Sequence, residues 1–270
     1  SLDRVDRAAG EAMVPKVLPS LINGFETPFV QIHTAVGAAM KRVLQSLTDT
    51  STSGQSPTAA KTYSKFIAVL CSLFQLRYQQ SWFHILDVAR YVFQRNISMG
   101  AATAAAAGPS VQPLLLKLGE LFQGLEERTL AVAPDVEVAL RDALGFGLQS
   151  VGLTFFLATL PLAQDPSLPS GGGVAIPPNR EWIISILDNN LRHMRCQLSE
   201  FQSNVQALSV DLAGLLTSPS ASFMSKAVKK GVARNVVQLW SLFPGFCLKL
   251  PLDVLANFPS LAPDLLALLA

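Results

Sequence analysis

The side chains with most chemistry to offer are few: His33, His84 and His193, Cys71, Cys196 and Cys247, and four cations at Lys226, Lys229, Lys230 and Arg234. A protein-bound metal needs three or four His, Cys or carboxylate ligands at short, patterned spacings. No histidine lies beside a cysteine or carboxylate at such a spacing, and no HExxH, CxxC or two-Cys/two-His pattern occurs. His84 lies between Phe83 and Ile85, where a packed or half-exposed ring is expected rather than a ligand. Gly-x-Ser-x-Gly nucleophile elbows and Walker-type phosphate loops are absent. Gly171-Gly172-Gly173 has no strand before it and no basic residue close behind, so it reads as a flexible linker. Carboxylates such as Glu126 and Glu127 fall at helix ends, where solvation explains them. The reading is therefore non-enzymatic, with no catalytic residue, no metal, no cofactor and no small-molecule substrate.

The cations are the exception. Lys226, Lys230 and Arg234 stand at i, i+4 and i+8 of one helix with Lys229 beside them, and no acid occurs from Ser218 to Pro251. Such a stripe holds phosphates by charge without reading sequence. Arg192, His193 and Arg195, placed on a neighbouring helix, would extend it. A solvated helix face is the competing reading.

These residues need helices to position them, and helical periodicity recurs along the chain while strand alternation is scarce. Helices are expected over Val5–Asn23, and from Thr27-Pro28 as cap and first position to about Leu47, with a Ser/Thr/Gly loop from Thr48 to Pro57. Tyr63, Phe66, Ile67, Leu70 and Phe74 share one face, and Trp82, Ile85, Leu86, Ala89 and Phe93 share another, so the two helices are expected to form an antiparallel hairpin. Ser98–Ser110 is Ala/Gly-rich and reads as a surface connection, before helices at Pro113–Glu127 and Pro134–Ser150. Leu191, Met194, Leu198, Phe201, Val205, Leu208, Leu212 and Leu215 alternate steps of three and four, the seam of one long helix. Its flanks lack systematic charge, which favours docking in a solenoid over a coiled coil. A further helix is expected over Ala221–Phe243, then a Leu-rich tail of short helices cut by Pro259 and Pro263.

Half of the 270 residues are hydrophobic and only 15% are charged, as stacked helical hairpins require. The expected fold is all-α, a HEAT/armadillo-like α-solenoid, with hairpins in 1–163, a Pro/Gly/Ser-rich linker at 164–179 and further hairpins in 180–270. Leu144–Ala163 carries no charge over twenty residues, but its glycines, Gln149 and Pro161 favour a buried helix pair broken near Gly152 over a membrane span. Three scattered cysteines suggest no disulfide framework and a reducing compartment. Ser1 stands first with no cleavable signal pattern after it, so a piece of a longer chain is expected. Arg180–Leu250 holds eight Lys/Arg against four Asp/Glu within a chain of net charge +2, a basic bias suited to an acidic partner.

Trp240, Leu242, Phe243, Pro244, Gly245, Phe246 and Cys247, followed by Pro251 and Asp253, resemble the Trp-Leu-Leu-Pro-Gly-Phe-Cys block of the large ribosomal-RNA-processing HEAT proteins of the number-twelve type. By its residues alone this block is a buried corner, with Pro244-Gly245 breaking the helix and Phe246 and Cys247 re-entering the core. Arg180, Trp182, Leu187, Leu191 and Arg192 are similar to that family's arginine–tryptophan helix, and Leu76-Arg77-Tyr78 with Trp82 to its upstream hairpin. The long helix departs from the family in lacking a later proline, which suggests a straighter helix. The glycine-rich insertion from Ser170 is particular to this chain. The resemblance implies a nucleolar and nuclear, non-enzymatic factor of small-subunit pre-ribosomes, with pre-ribosomal RNA and assembly factors as partners and shuttling to the cytoplasm allowed. It assigns no contact residues. The rival reading from fold alone is a karyopherin-like adaptor whose helical repeats bind protein cargo.

Overall fold

The computed structural model describes residues 16–51, 57–99, 101–127, 129–162, 181–217, 222 and 224–269. Among them there is no strand. The helices are α1 (16–24), α2 (Val30–Ser51), α3 (Pro57–Ser72), α4 (Trp82–Ser98), α5 (Ala101–Glu126), α6 (Pro134–Val151) and α7 (Leu153–Thr159), then α8 (Glu181–Leu191), α9 (Leu198–Phe201), α10 (Ala207–Thr217), α11 (Lys226–Trp240), α12 (Phe243–Cys247) and α13 (Val254–Leu269). The chain divides into two compact units, 1–151 and 152–270.

In the first unit α4 lies between α2 and α6, while α3 packs on α2 and α5, and α5 on α6. This is a two-layer stack, α2/α4/α6 over α3/α5. A helix with neighbours on two sides buries a broad face, and α4 buries Ile85, Leu86, Val88, Ala89, Val92 and Phe93. The faces expected on α3 and α4 are present, but the two helices are not hairpin partners. A 3-10 helix (Leu76–Ser81) carries the chain from one layer to the other, and α3 pairs with α2 and α5 instead. His33 is a buried fastener here: its Nε2 donates to the Thr27 carbonyl at 2.7 Å.

Several expected boundaries move. α2 starts at Val30, because Thr27 Oγ1 donates to the Gly24 carbonyl at 2.9 Å and so closes the preceding turn instead of capping the next helix. It runs on to Ser51, into the expected loop. The expected surface connection at 98–110 is helical from Ala101, and α5 continues through Pro109 and Pro113. Alanine has the best helix propensity, and burial of Val111, Leu114, Leu115, Leu118 and Phe122 outweighs a local proline cost of about 3 kcal/mol. The uncharged stretch is broken where expected. Gly152 has φ 82°, a left-handed conformation that ends α6, and α7 begins at Leu153. Among the described residues no helix is long and apolar enough to cross a membrane. The expected helix before residue 16 and the linker at 164–179 lie outside the described residues.

In the second unit the expected long helix is two segments. α8 ends at Leu191, residues 192–197 form a turn, and helical backbone resumes at Leu198. It passes through a π-helical turn (Gln202–Gln206) into α10, so it is not the straight rod suggested by the missing proline. Leu191, Leu198, Phe201, Val205 and Leu212 are nevertheless buried, because the seam records which residues face the core and not whether the backbone is continuous, while Met194, Leu208 and Leu215 of the same expected seam are only partly buried. The tail is one helix, α13, with Pro259 and Pro263 inside it. α10 packs on α11, α9 on α13, and α12 touches both α8 and α9.

Candidate nucleic-acid interface

α11 is opened by Ser225, whose hydroxyl accepts from the Val228 amide at 3.3 Å. Val232, Asn235 and Leu239 are its buried residues. At 100° per residue, Lys226, Lys230 and Arg234 project from the opposite side, and Lys229 from its flank. All four are exposed. No acid stands in the first turn of α11. Lysines there face the positive end of the helix dipole, an adverse arrangement of a few tenths of a kcal/mol each that an anion bound between them would relieve.

Arg192, His193 and Arg195 are exposed as well, but they occupy the turn between α8 and α9 and not a helix face. Lys249 joins them, its Nζ donating to the His193 carbonyl at 2.5 Å. α12 sits against the end of α8: a Cβ added at Gly245 would lie 3.0 Å from Leu191 Cβ. The basic turn is thus beside residues 245–249, past the C-terminal end of α11, whereas Lys226 begins that 15-residue helix, about 20 Å away along its axis. The expected extension is therefore a turn and not a neighbouring helix face; it lies past the C-terminal end of α11, and the member of the stripe nearest to that end, Arg234, stands six residues, about 9 Å, before Trp240.

The corner between stripe and turn is aromatic. Fully buried Phe201 meets the rings of Trp240, Phe243 and Phe246 edge-on, with centroids at 5.3, 5.2 and 5.2 Å. Two details depart from expectation. α11 ends at Trp240, ahead of the proline, and Pro244 helps open α12, where its missing N–H costs nothing. Phe246 is buried as expected, but Cys247 is exposed. Trp182 is buried, and Arg180 lies outside the described residues.

The sequence did not disclose what Asp253 does. Its Oδ1 accepts from the Leu198 amide and its Oδ2 from the Ser199 amide, both at 2.9 Å, so it caps the N-terminus of α9 from 55 residues away. Glu200 completes the cap by accepting from the Gln197 amide at 2.9 Å. Desolvation raises the Asp253 carboxyl, but the two amides outweigh it, so the group titrates below the usual carboxylate range. Position in the motif, directly after Pro251 and Leu252, was the available signal, and nothing local pointed to Leu198.

All three cysteines are free, and burial pushes Cys71 up to about 11 and Cys196 to about 12, with Cys247 also raised. No group of three or more His, Cys, Asp or Glu able to hold a metal occurs among the described residues.

The family model described as ribosomal RNA-processing protein 12, HEAT repeats, matches residues 28–270. The chain belongs to this family. The match covers both units, including the α9–α12 corner and the two cationic groups. No curated protein matches the chain significantly. Family membership accounts for the two-layer helix stack of the first unit, since a HEAT array is built by laying each helix pair on the one before.

Proposed function

We propose that this chain is a non-enzymatic scaffold of ribosome biogenesis. It binds pre-ribosomal RNA through the cationic face of α11 and assembly factors through its helical surface, in the nucleolus and nucleus, while small-subunit pre-ribosomes are processed, matured and exported. The observation that carries the RNA role is the set of exposed lysines, Lys226, Lys229 and Lys230, gathered without an acid at the dipole-positive end of α11. The basic turn with Arg192, Arg195 and Lys249 offers a second phosphate contact at the other end of the helix. Family membership supports the choice of ribosomal RNA over other polyanions.

The test is a mobility-shift titration of single-stranded pre-rRNA fragments at two salt concentrations. With about four phosphates of a single strand neutralised by the α11 cations, that face alone contributes a slope of about −2.8 in log K against log salt, so through it a fourfold rise in salt weakens binding about fifty-fold. Lys226→Gln, Lys229→Gln, Lys230→Gln and Arg234→Gln combined should weaken binding at low salt and flatten that slope by two to three units, on the order of 0.7 per lost contact. An unchanged slope in the quadruple variant removes the stripe from the mechanism.

A further inference from the structure

The first unit carries a groove unrelated to the cationic face. It has a volume of about 370 Å³ and is formed by the N-terminal halves of α4 and α6. On α4 the lining residues Phe83, Leu86, Asp87 and Arg90 follow helical spacing, and on α6 Asp135, Val138 and Asp142 do the same. The walls are apolar, and two of them are open to solvent: Phe83 is 43% and Val138 59% exposed. Isolated exposed apolar residues are ordinary, but here they face each other across a concave surface.

The charges divide into two kinds. Asp87 is held by Lys41 on one oxygen and by Arg90, at 2.7 Å, on the other, so its charge is met within the fold and the three groups together carry +1; the charged lining residues Asp87, Arg90, Asp135 and Asp142 together carry −2. Asp87 is half-buried; desolvation raises its carboxyl, and the two cations outweigh that and hold it below the usual range. Asp135 and Asp142 are exposed and make no ion pair among the described residues, and Asp135 Oδ1 accepts from the Val136 amide at 3.0 Å. Seven residues apart on α6, they sit on one face about 10 Å from each other, with Val138 between them. An extended peptide covers that distance in about three residues.

We infer that the α4/α6 groove binds an extended peptide in which two lysine or arginine residues, about three positions apart, flank an apolar side chain. The apolar side chain enters between Phe83, Leu86 and Val138, and the two cations reach Asp135 and Asp142. The carboxylates repel a phosphate backbone, so the groove selects basic protein segments and leaves RNA to the other unit. This inference does not rest on the RNA-binding role of α11.

The test uses the full chain and a fluorescein-labelled twelve-residue peptide made of repeated lysine–leucine–serine–lysine blocks, read by fluorescence anisotropy at low salt. Wild type should bind it, and a control peptide with glutamate in place of lysine should not bind. Asp135→Asn with Asp142→Asn should weaken binding about five- to ten-fold and flatten its salt dependence. Val138→Ser should weaken binding about threefold without flattening it. All three substituted side chains are solvent-exposed, and unchanged circular dichroism and an unchanged thermal midpoint in the same preparations establish that the variants are folded. No binding by wild type, equal binding of the glutamate peptide, full affinity in the Asp135/Asp142 variant, or displacement of the peptide by single-stranded RNA would each overturn the inference.

Discussion

Replacing Asp253 probes the joint on which the second unit depends. Its carboxylate accepts the Leu198 and Ser199 amides, each at 2.9 Å, and the Asn257 side-chain amide at 2.8 Å. Asp253→Ala removes a helix N-cap, which costs about 1 kcal/mol, and a negative charge at a helix N-terminus, worth a further 0.3–1 kcal/mol or about that. The carboxylate is half-exposed, and water satisfies part of what is lost, so a total of about 1.5 kcal/mol is expected. Asp253→Asn keeps one acceptor and loses the charge, and should cost about half as much. The pH dependence has a definite sign. Because the folded carboxyl titrates below its unfolded value of about 3.9, its contribution is fully present above that value and is lost as pH falls through the folded one. Urea unfolding followed by tryptophan fluorescence in a Trp82→Phe background reports on this unit through Trp182 and Trp240, the latter with its ring resting on Phe201. The gap between wild type and Asp253→Ala should be about 1.5 kcal/mol at neutral pH and should narrow toward pH 3. A gap below about 0.3 kcal/mol at neutral pH, or one that stays the same on acidification, refutes the capping argument.

Other expectations concern the same corner. Phe201→Ala removes the ring on which Trp240, Phe243 and Phe246 converge and should cost about 3–5 kcal/mol, seen as loss of cooperative unfolding of the second unit; Phe201→Leu should cost much less, about 1.5 kcal/mol. Gly245→Val drives a branched side chain against Leu191, whose Cβ already lies 3.0 Å from the position of an added Cβ, and should lower the thermal midpoint by several degrees, about 2 kcal/mol in calorimetry. Cys247 is exposed and Cys196 buried, so thiol titration of the folded protein with a maleimide should modify Cys247 well before Cys196, at a rate that rises toward alkaline pH because both thiols are raised.

The sequence by itself determined the composition of the core. Leu191, Leu198, Phe201, Val205 and Leu212 were legible as one buried face because the 3.6-residue period states which side of a helix avoids water. The cationic face of α11 was legible for the same reason, since Lys226, Lys230 and Arg234 repeat at the helical period. The sequence also carried the family, through the block from Trp240 to Asp253. It did not determine continuity or partnership. Helical period is nearly the same whether a helix is whole or interrupted by a turn, so the break at 192–197 was invisible, and with it the placement of Arg192 and Arg195. Pro109 and Pro113 suggest helix ends, but the burial of Val111, Leu114, Leu115, Leu118 and Phe122 against neighbouring helices overrode that local preference in α5. Which helix faces which is a property of the stack, and only there do α3 and α4 take different partners. Asp253 on Leu198, and Val138 facing Phe83 across a groove bracketed by Asp135 and Asp142, are likewise meetings of residues far apart in the chain. Such contacts arise from the closure of the whole fold and leave no local pattern, so only the tertiary structure decides them.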